Sequence, residues 1–220
     1  MVEDSPLLTS LFDNPVVARV CTSTPLMADL HPEEAKQVAS AVAVRRAHFT
    51  AGRLSAHAAL DALGIPSSPL LSDAARAPIW PTGVVGSITH TNGFCGAVVA
   101  PRTRYHGLGI DAEQRGHATE DLWGEILTTA ELRWLREQPT SQRAEIATII
   151  FCAKEAFYKC QYQVTKSWLG FEGAEVEVKD QVFLLRLLHK VGDLAAGKEF
   201  SGRFAMLSSI VVAGVAIDAV

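Results

Sequence analysis

The most constraining feature of this 220-residue chain is a helical pattern over residues 142–162 with two unlike faces. One face is apolar and predicts the side that packs on the core: Ile146, Ile149, Ile150, Ala153, Phe157 and Cys160. The other mixes aromatic and charged side chains: Phe151, Glu155, Tyr158, Lys159 and Tyr162. A solvated face is seldom this aromatic, so the pattern predicts that the second face lines a cleft. The alternative is an ordinary Glu155–Lys159 pair on a helix surface.

The remaining elements predict an α+β protein. A helical pattern runs from about residue 32 to 63, and "VVGSITHTNGFCGAVVA" predicts a hairpin turning at Asn92-Gly93. "YHGLGIDAE" predicts another strand, Thr128-x-x-Glu131 a capping box, and the segment from residue 171 onwards several strands. Helices followed by strands occur twice. We therefore predict two similar halves, residues 1–103 and 104–220.

Charge narrows the class of ligand. The formal net charge of −4 argues against nucleic acid as the main partner. Residues 41–104, however, hold six arginines and only two acidic residues, an excess of four positive charges. This distribution favours a small polyanion, although a solvated basic face would have the same composition. On the long helix, Arg45 interrupts the apolar stripe, and Arg46 and Arg53 lie together on its flank. A guanidinium facing a core needs a counter-charge, from a ligand or from a structural ion pair.

Cellular location is predicted from the termini and the cysteines. The N-terminal "MVEDSPLLTS" lacks the basic and apolar regions of a signal peptide. The longest apolar run, "SSIVVAGVAIDAV", is too short for a bilayer span and predicts a buried strand. The four cysteines have no metal-binding spacing, so free thiols are expected. We predict a cytoplasmic protein with no membrane partner.

Two carboxylates predict a cation. In a strand, Asp111 and Glu113 point to the same face, where they repel each other unless a cation lies between them. Oxygen ligands without His or Cys suit magnesium, and Glu155 is a natural third ligand. His90, near the hairpin turn, is a candidate phosphate donor or simply a solvated histidine.

These motifs resemble those of a known family. "GIDAE" followed about forty residues later by "FCAKEAFYK" resembles the paired signature of the 4′-phosphopantetheinyl transferases of the Sfp/EntD type. "RRAHFTAGR", "APIWPTGVVGSITH" and "KSWLGF" resemble, in the same order, segments of the bacterial enterobactin-synthetase-like branch. The resemblance covers roughly residues 40–175. It implies an α+β fold of two halves related by a pseudo-two-fold axis, with the active site between them. It also implies a monomer and transfer of phosphopantetheine from coenzyme A to a carrier-protein serine.

The resemblance also implies roles for individual residues. Magnesium, or manganese, is expected on Asp111, Glu113 and Glu155, and Glu155 or a water that it orients is expected to take the serine proton. Coenzyme A phosphates are expected to contact a basic set comprising Arg45, Arg53, Arg76, His90, Lys154 and Lys159. The aromatic residues Phe151, Tyr158 and Trp168 are expected to line the pantetheine channel.

Two rival functions and several details stay open at this level. A magnesium-dependent phosphohydrolase uses similar acids and arginines but needs no aromatic channel. A coenzyme A-binding regulatory module needs the arginines but not three carboxylates. The sequence also leaves open which acyl, peptidyl or aryl carrier is served, and whether acyl-coenzyme A is accepted.

Overall fold

The computed structural model describes residues 1–22 and 26–219. Its helices are α1 (Pro6–Thr9), α2 (Pro32–Val38), α3 (Ala43–Ala62), α4 (Trp123–Ile126), α5 (Thr129–Glu137) and α6 (Thr140–Thr165). Its strands are β1 (Val2–Asp4), β2 (Val17–Cys21), β3 (Val84–Thr91), β4 (Phe94–Pro101), β5 (Tyr105–Gln114), β6 (Ala174–Lys179), β7 (Val182–Leu187), β8 (Glu199–Met206) and β9 (Ile210–Asp218).

The strands form two antiparallel sheets. The first has the order β1-β2-β4-β3, and the second β5-β9-β8-β7-β6. Helix α3 packs on β2 and β4, and α6 packs on β5 and β9. The protein is thus built from two α/β halves, each with one long helix against an antiparallel sheet, in agreement with the predicted fold class.

One hydrophobic core is shared by the two halves. Leu8, Val85 and Val98 of the first half pack in the same cluster as Leu108 and Ile110 of the second. The predicted boundary between residues 103 and 104 falls between the end of β4 and the start of β5. The boundary stays a prediction, and because of the shared core we expect the halves to fold as one unit.

The helix–strand contact at the centre of the molecule depends on two glycines. A Cβ atom at Gly107 would overlap the carbonyl oxygen of Cys160, and one at Gly109 would overlap that of Ala156. Helix α6 therefore lies directly on the backbone of β5. Since alternate residues of a strand share a face, Asp111 and Glu113 point to the same side as these glycines, towards α6.

We expect Gly109→Ala to lower the free energy of unfolding by about 3 kcal/mol, because the added methyl group forces the helix off the strand. The unfolding temperature, measured by circular dichroism, should fall by roughly 5–10 °C. Gly124→Ala is the matched control, since a Cβ at Gly124 meets nothing within 4 Å. Equal unfolding temperatures for the two variants would contradict the close approach of α6 to β5.

Most predicted elements are present, and one is wrong. The hairpin, the strand before Gln114, the C-terminal strands and the helix capped by Thr128 and Glu131 are confirmed. The helix predicted over residues 32–63 is instead two helices, because α2 ends at Val38 and α3 begins at Ala43. Val42, the residue that caps the start of α3, is 73% exposed.

Candidate active site at the junction of the halves

A cavity of about 260 Å³ lies where the two halves meet. Its walls come from α3, the loop of residues 72–80, β3 and α6. Seven basic side chains line it, five from the first half and two from the second: Arg45, His48, Arg53, Arg76, His90, Lys159 and Lys166. Glu155 is the acidic residue in the lining. The cavity is therefore suited to a ligand with several negative charges.

Arg53 is the buried cation of this cavity, with 4% of its surface exposed. Its guanidinium lies over the Phe49 ring at 4.5 Å and donates from Nη2 to Ser72 Oγ at 2.8 Å. Its Nε is buried without a hydrogen-bond partner. Burial lowers its pKa to about 10, and the nearby Glu34 carboxylate opposes that shift. Arg53 is thus a preorganised cation with an unsatisfied donor.

Arg45 does not point into the core as predicted; it is exposed at the cavity. Arg53, eight residues further along α3, is the buried arginine. Arg45 Nη1 lies 3.4 Å from His90 Nε2, and His90 stacks on His48 with ring centroids 4.7 Å apart. Burial lowers the pKa of His90 to about 4, and the charges of His48, Lys159 and Arg45 act in the same direction. His90 is therefore neutral near pH 7 in the protein without ligand.

The loop of residues 72–80 carries Arg76 to the cavity rim. Asp73 Oδ1 accepts from the backbone N–H groups of Ala75 and Ala77, both at 2.9 Å. Arg76 has a left-handed backbone with φ of 66°, which is uncommon for a residue with a side chain. Tyr162 on α6 donates to Asp73 Oδ2 at 3.3 Å, so the loop is tied to the opposite wall.

The acidic side of the site is centred on Asp111, which is 5% exposed. Its Oδ1 accepts from Lys159 Nζ at 2.7 Å and from Thr89 Oγ1 at 3.2 Å. The same threonine hydroxyl accepts the Ala112 N–H at 2.9 Å, and Ser87 accepts the Ile110 N–H at 3.1 Å. Alternate hydroxyls of β3 thus hold β5 of the other sheet. Lys159 joins Asp111 to the cavity that its ammonium lines.

A metal ion fits this part of the site in two respects. Asp111 Oδ2 is buried without a hydrogen-bond partner, so one carboxylate oxygen is left for another ligand. Burial and the charge of Asp111 raise the pKa of Glu113. Burial raises the pKa of Glu155 as well; Lys159 opposes the shift, and Asp111 and Glu113 add to it. The three acids therefore act on one another electrostatically, and a cation would relieve that repulsion.

The predicted three-ligand cluster is nevertheless not preformed. Within residues 1–22 and 26–219, no three His, Cys, Asp or Glu side chains converge closely enough to hold a metal ion. Glu113 accepts from Thr91 at 3.5 Å, and Glu155 faces the cavity from α6. Joint ligation by Asp111, Glu113 and Glu155 stays a prediction, and it requires side-chain movement.

An apolar groove adjoins the cavity. Its volume is about 130 Å³, and Trp168, Leu169 and Phe171 line it together with Tyr158. Trp168 is 78% exposed and meets Tyr158 edge-on at 5.1 Å. Tyr158 lines both the groove and the main cavity, as does Glu155. The acid thus lies where a charged compartment meets an apolar one.

Phe151 does not line either compartment. It packs against Phe171 at 5.5 Å and His117 at 5.7 Å, and it borders the core of the second half. Its predicted place in the pantetheine channel is therefore not supported by the geometry. Phe151 lies one helical turn before Glu155, on a part of α6 that does not line the cavity.

Lys154 does not face the cavity either. Its ammonium donates to Glu131 at 2.7 Å and to the backbone carbonyls of Ile126 and Phe171, both at 2.9 Å. All three donors are used inside the protein, where the side chain is 3% exposed. The geometry therefore does not support the predicted contact of Lys154 with a coenzyme A phosphate. Lys154 instead ties α6 to α5 and to the segment that carries the groove.

Several cavity residues were missed by the sequence analysis. His48 lies within the "RRAHFTAGR" segment and Trp80 within "APIWPTGVVGSITH", yet neither was singled out. Gln163 is one turn beyond Lys159; its side chain accepts the Gly86 N–H and donates to the Leu108 carbonyl, which joins the two sheets. Because Gln163 lies four residues after Lys159 on the same helix, the spacing could have predicted that both line the cavity.

Comparison with known proteins gives consistent matches. A family model described as the 4'-phosphopantetheinyl transferase N-terminal domain matches residues 33–100, and one described as the 4'-phosphopantetheinyl transferase superfamily matches residues 107–201. The 4'-phosphopantetheinyl transferase PptT of Mycobacterium tuberculosis is 39% identical over 78% of this chain and 75% of its own. Svp of Streptomyces mobaraensis is 39% identical over 86% and 79%.

Other matches are weaker or shorter. Enterobactin synthase component D of Salmonella typhi is 33% identical over 60% of this chain and 54% of its own. A holo-(acyl-carrier-protein) synthase from Bacillus anthracis, solved in complex with CoA, is 21% identical over 53% of this chain and 99% of its own, with a TM-score of 0.38.

The fold and the site define an α/β protein of two halves, with a cavity at their junction that suits a ligand with several negative charges. The chain belongs to the 4′-phosphopantetheinyl transferases. It transfers the 4′-phosphopantetheine group of coenzyme A to carrier proteins, so the phosphohydrolase and the regulatory module are excluded as its main function. Among the described residues, no helix has the length and apolarity needed to cross a membrane.

Proposed function

We propose that the diphosphate and 3′-phosphate of coenzyme A occupy the cavity between α3 and α6. The observation that carries this proposal is the cavity lining, in which arginines from α3 face Glu155 and Lys159 from α6. Arg45, Arg53, Arg76 and His90 bind the phosphates as charge-assisted or neutral donors. The pantetheine arm extends past Tyr158 into the groove that Trp168 lines.

Asp111 and Glu113, with Glu155, would hold magnesium or manganese against the diphosphate. Such an ion supplies charge neutralisation on the phosphoryl oxygens as the leaving group departs. Asp111 has a buried oxygen without a hydrogen-bond partner, and its other oxygen fixes Lys159. Lys159 binds a diphosphate oxygen from the cavity side. Burial lowers the pKa of Lys159, but Asp111 and Glu155 raise it more, so the side chain stays cationic.

The acceptor is a carrier-protein serine whose hydroxyl attacks the β-phosphorus. Its proton passes to Glu155 or to a water that Glu155 orients, the phosphodiester forms, and adenosine 3′,5′-bisphosphate departs. The position of Glu155 in the lining of both the cavity and the groove supports this role. Mixing enzyme, coenzyme A, magnesium and an apo carrier domain, and weighing the carrier, tests the whole assignment in wild type and variants.

The wider context is also proposed. Siderophore, polyketide and nonribosomal peptide carriers are the acceptor classes, to be ranked by kcat/KM on a panel of apo carrier domains.

A monomer suffices because one chain supplies both walls of the cavity. The buried free thiols Cys95, Cys152 and Cys160 suit the reducing cytoplasm. Light scattering at working concentration tests the monomer.

We expect Arg53→Ala to weaken coenzyme A binding by about 10- to 100-fold, because a buried charge-assisted hydrogen bond to the 3′-phosphate is lost. Dephospho-coenzyme A should bind the wild type poorly and be nearly indifferent to the substitution. The four dissociation constants, measured by calorimetry at fixed salt, should therefore be non-additive. Arg46→Ala is the control, since Arg46 donates to the Ala41 carbonyl and does not line the cavity. Additive losses would assign Arg53 to another phosphate.

A further inference from the structure

Glu34 is a fully buried carboxylate outside the cavity lining. It lies on α2, and it joins three separate parts of the chain. Its Oε1 accepts from His57 Nε2 on α3 and from the Leu70 N–H, both at 2.8 Å. Its Oε2 accepts from the His31 N–H at 3.2 Å. Burying a carboxylate is costly unless such partners surround it, so its position is closely defined.

The same carboxylate lies beside Arg53. Glu34 Oε1 is 4.0 Å from Arg53 Nε, too far for a hydrogen bond but close enough for direct electrostatic attraction. Burial acts to raise the pKa of Glu34, and its contacts with His57, Leu70 and His31 lower it further than burial raises it. Glu34 is therefore ionised near pH 7. It offsets part of the Arg53 charge without accepting a hydrogen bond from the guanidinium, whose Nε has no hydrogen-bond partner.

Glu34 also anchors the start of the loop of residues 72–80, which forms another wall of the cavity. Leu70, whose N–H donates to Glu34, lies two residues before Ser72. The Ser72 hydroxyl accepts a hydrogen bond from Arg53 Nη2 at 2.8 Å. Ser72 then pairs with Pro78 in a β-bridge at the base of the loop that carries Arg76. One carboxylate thus fixes both the guanidinium and the start of the loop that meets it.

We propose that Glu34 is a positioning residue for recognition of the coenzyme A phosphates, acting through Arg53. The proposal rests on the phosphate-binding role proposed above for Arg53. It adds a residue on a different helix that touches no ligand and yet sets the affinity for one group of the ligand. Glu34→Gln keeps the shape and one acceptor oxygen but removes the charge.

The test compares binding of coenzyme A and dephospho-coenzyme A by calorimetry. Glu34→Gln should weaken coenzyme A by about tenfold and dephospho-coenzyme A by less than about twofold. In an Arg53→Gln background, Glu34→Gln should change the coenzyme A dissociation constant by less than about twofold, because the residue through which it acts is gone. At saturating coenzyme A, kcat should stay within about twofold of wild type.

His57→Ala is the matched control. It removes another partner of the same carboxylate without touching the cavity lining. We expect it to lower the unfolding temperature while coenzyme A affinity stays within about twofold of wild type. A merely structural Glu34 would instead make the two variants alike, with lower unfolding temperatures and unchanged or equally weakened binding of both ligands.

The outcomes separate this inference from the function on which it rests. Weak coenzyme A binding by Arg53→Gln with normal binding by Glu34→Gln overturns the role of Glu34 alone. Tighter binding by Glu34→Gln overturns it too, since the carboxylate would then only compete with the phosphate. Normal binding by Arg53→Gln overturns both assignments.

Discussion

Asp111→Asn should lower kcat/KM for transfer by about a thousandfold or more, which corresponds to about 4 kcal/mol of lost transition-state stabilisation. The substitution keeps the shape of the side chain. It removes the charge that faces Lys159 and the buried Oδ2 that has no hydrogen-bond partner in the protein. Carrier mass measured over time at several magnesium concentrations gives the rate. Calorimetry of magnesium or manganese binding, with coenzyme A present, gives a readout independent of turnover.

Asp121→Asn is the control for this prediction. Asp121 is an exposed aspartate of the same half that, like Asp111, accepts a hydrogen bond from a threonine, here Thr119 at 2.6 Å. We expect wild-type rates from it. Circular dichroism checks that Asp111→Asn is folded, because Lys159 loses its counter-charge. Rapid transfer by folded Asp111→Asn at ordinary magnesium would rule out Asp111 as a metal ligand.

Glu155→Gln should lower kcat by about 100- to 1,000-fold while the dissociation constant of coenzyme A changes by less than about threefold. The glutamine preserves the volume at the place where the cavity meets the groove, but it cannot accept the serine proton. Single-turnover measurements, with enzyme in excess over coenzyme A, separate the chemical step from binding.

Glu145→Gln, on the same helix, is the matched control. Glu145 pairs with Arg115 near the surface, where such pairs contribute little, so its loss should leave kcat unchanged. A loss of coenzyme A affinity that accounts for the whole activity loss of Glu155→Gln would remove support for proton transfer. Glu155 would then be a binding residue or a metal ligand only.

The contrast between Lys154 and Lys159 shows how far a motif can be interpreted. Both lysines belong to "FCAKEAFYK", and the resemblance alone implies phosphate contacts for both. Five residues along a helix turn the side chain by about 140°, so the two ammonium groups face opposite sides. Lys154 forms the buried pair with Glu131, and Lys159 faces Asp111 and the cavity. The helical period predicts that the two lysines face different sides. It does not predict that Glu131 is the buried partner of Lys154.

The helix break at residues 39–42 shows what the local pattern omits. No glycine or proline lies in "VASAVAVRR", so periodicity continues through it. In one straight helix, Glu34 and His57 would be roughly 35 Å apart. In the folded chain they are hydrogen-bonded at 2.8 Å. The chain therefore folds back on itself so that Glu34 can reach α3 and Leu70, and only contacts distant in sequence impose that reversal.

The sequence by itself determined most of the local elements and the family to which the chain belongs. The capping box at Thr128, the hairpin at Gly93 and the two faces of α6 follow from interactions within a few residues, which the order of residues specifies directly. The tertiary structure decided which charged side chains are buried, which compartment each aromatic residue lines, and that Glu34 lies beside Arg53. Burial and pairing of that kind depend on segments far apart in the chain, and their relative positions are determined by packing.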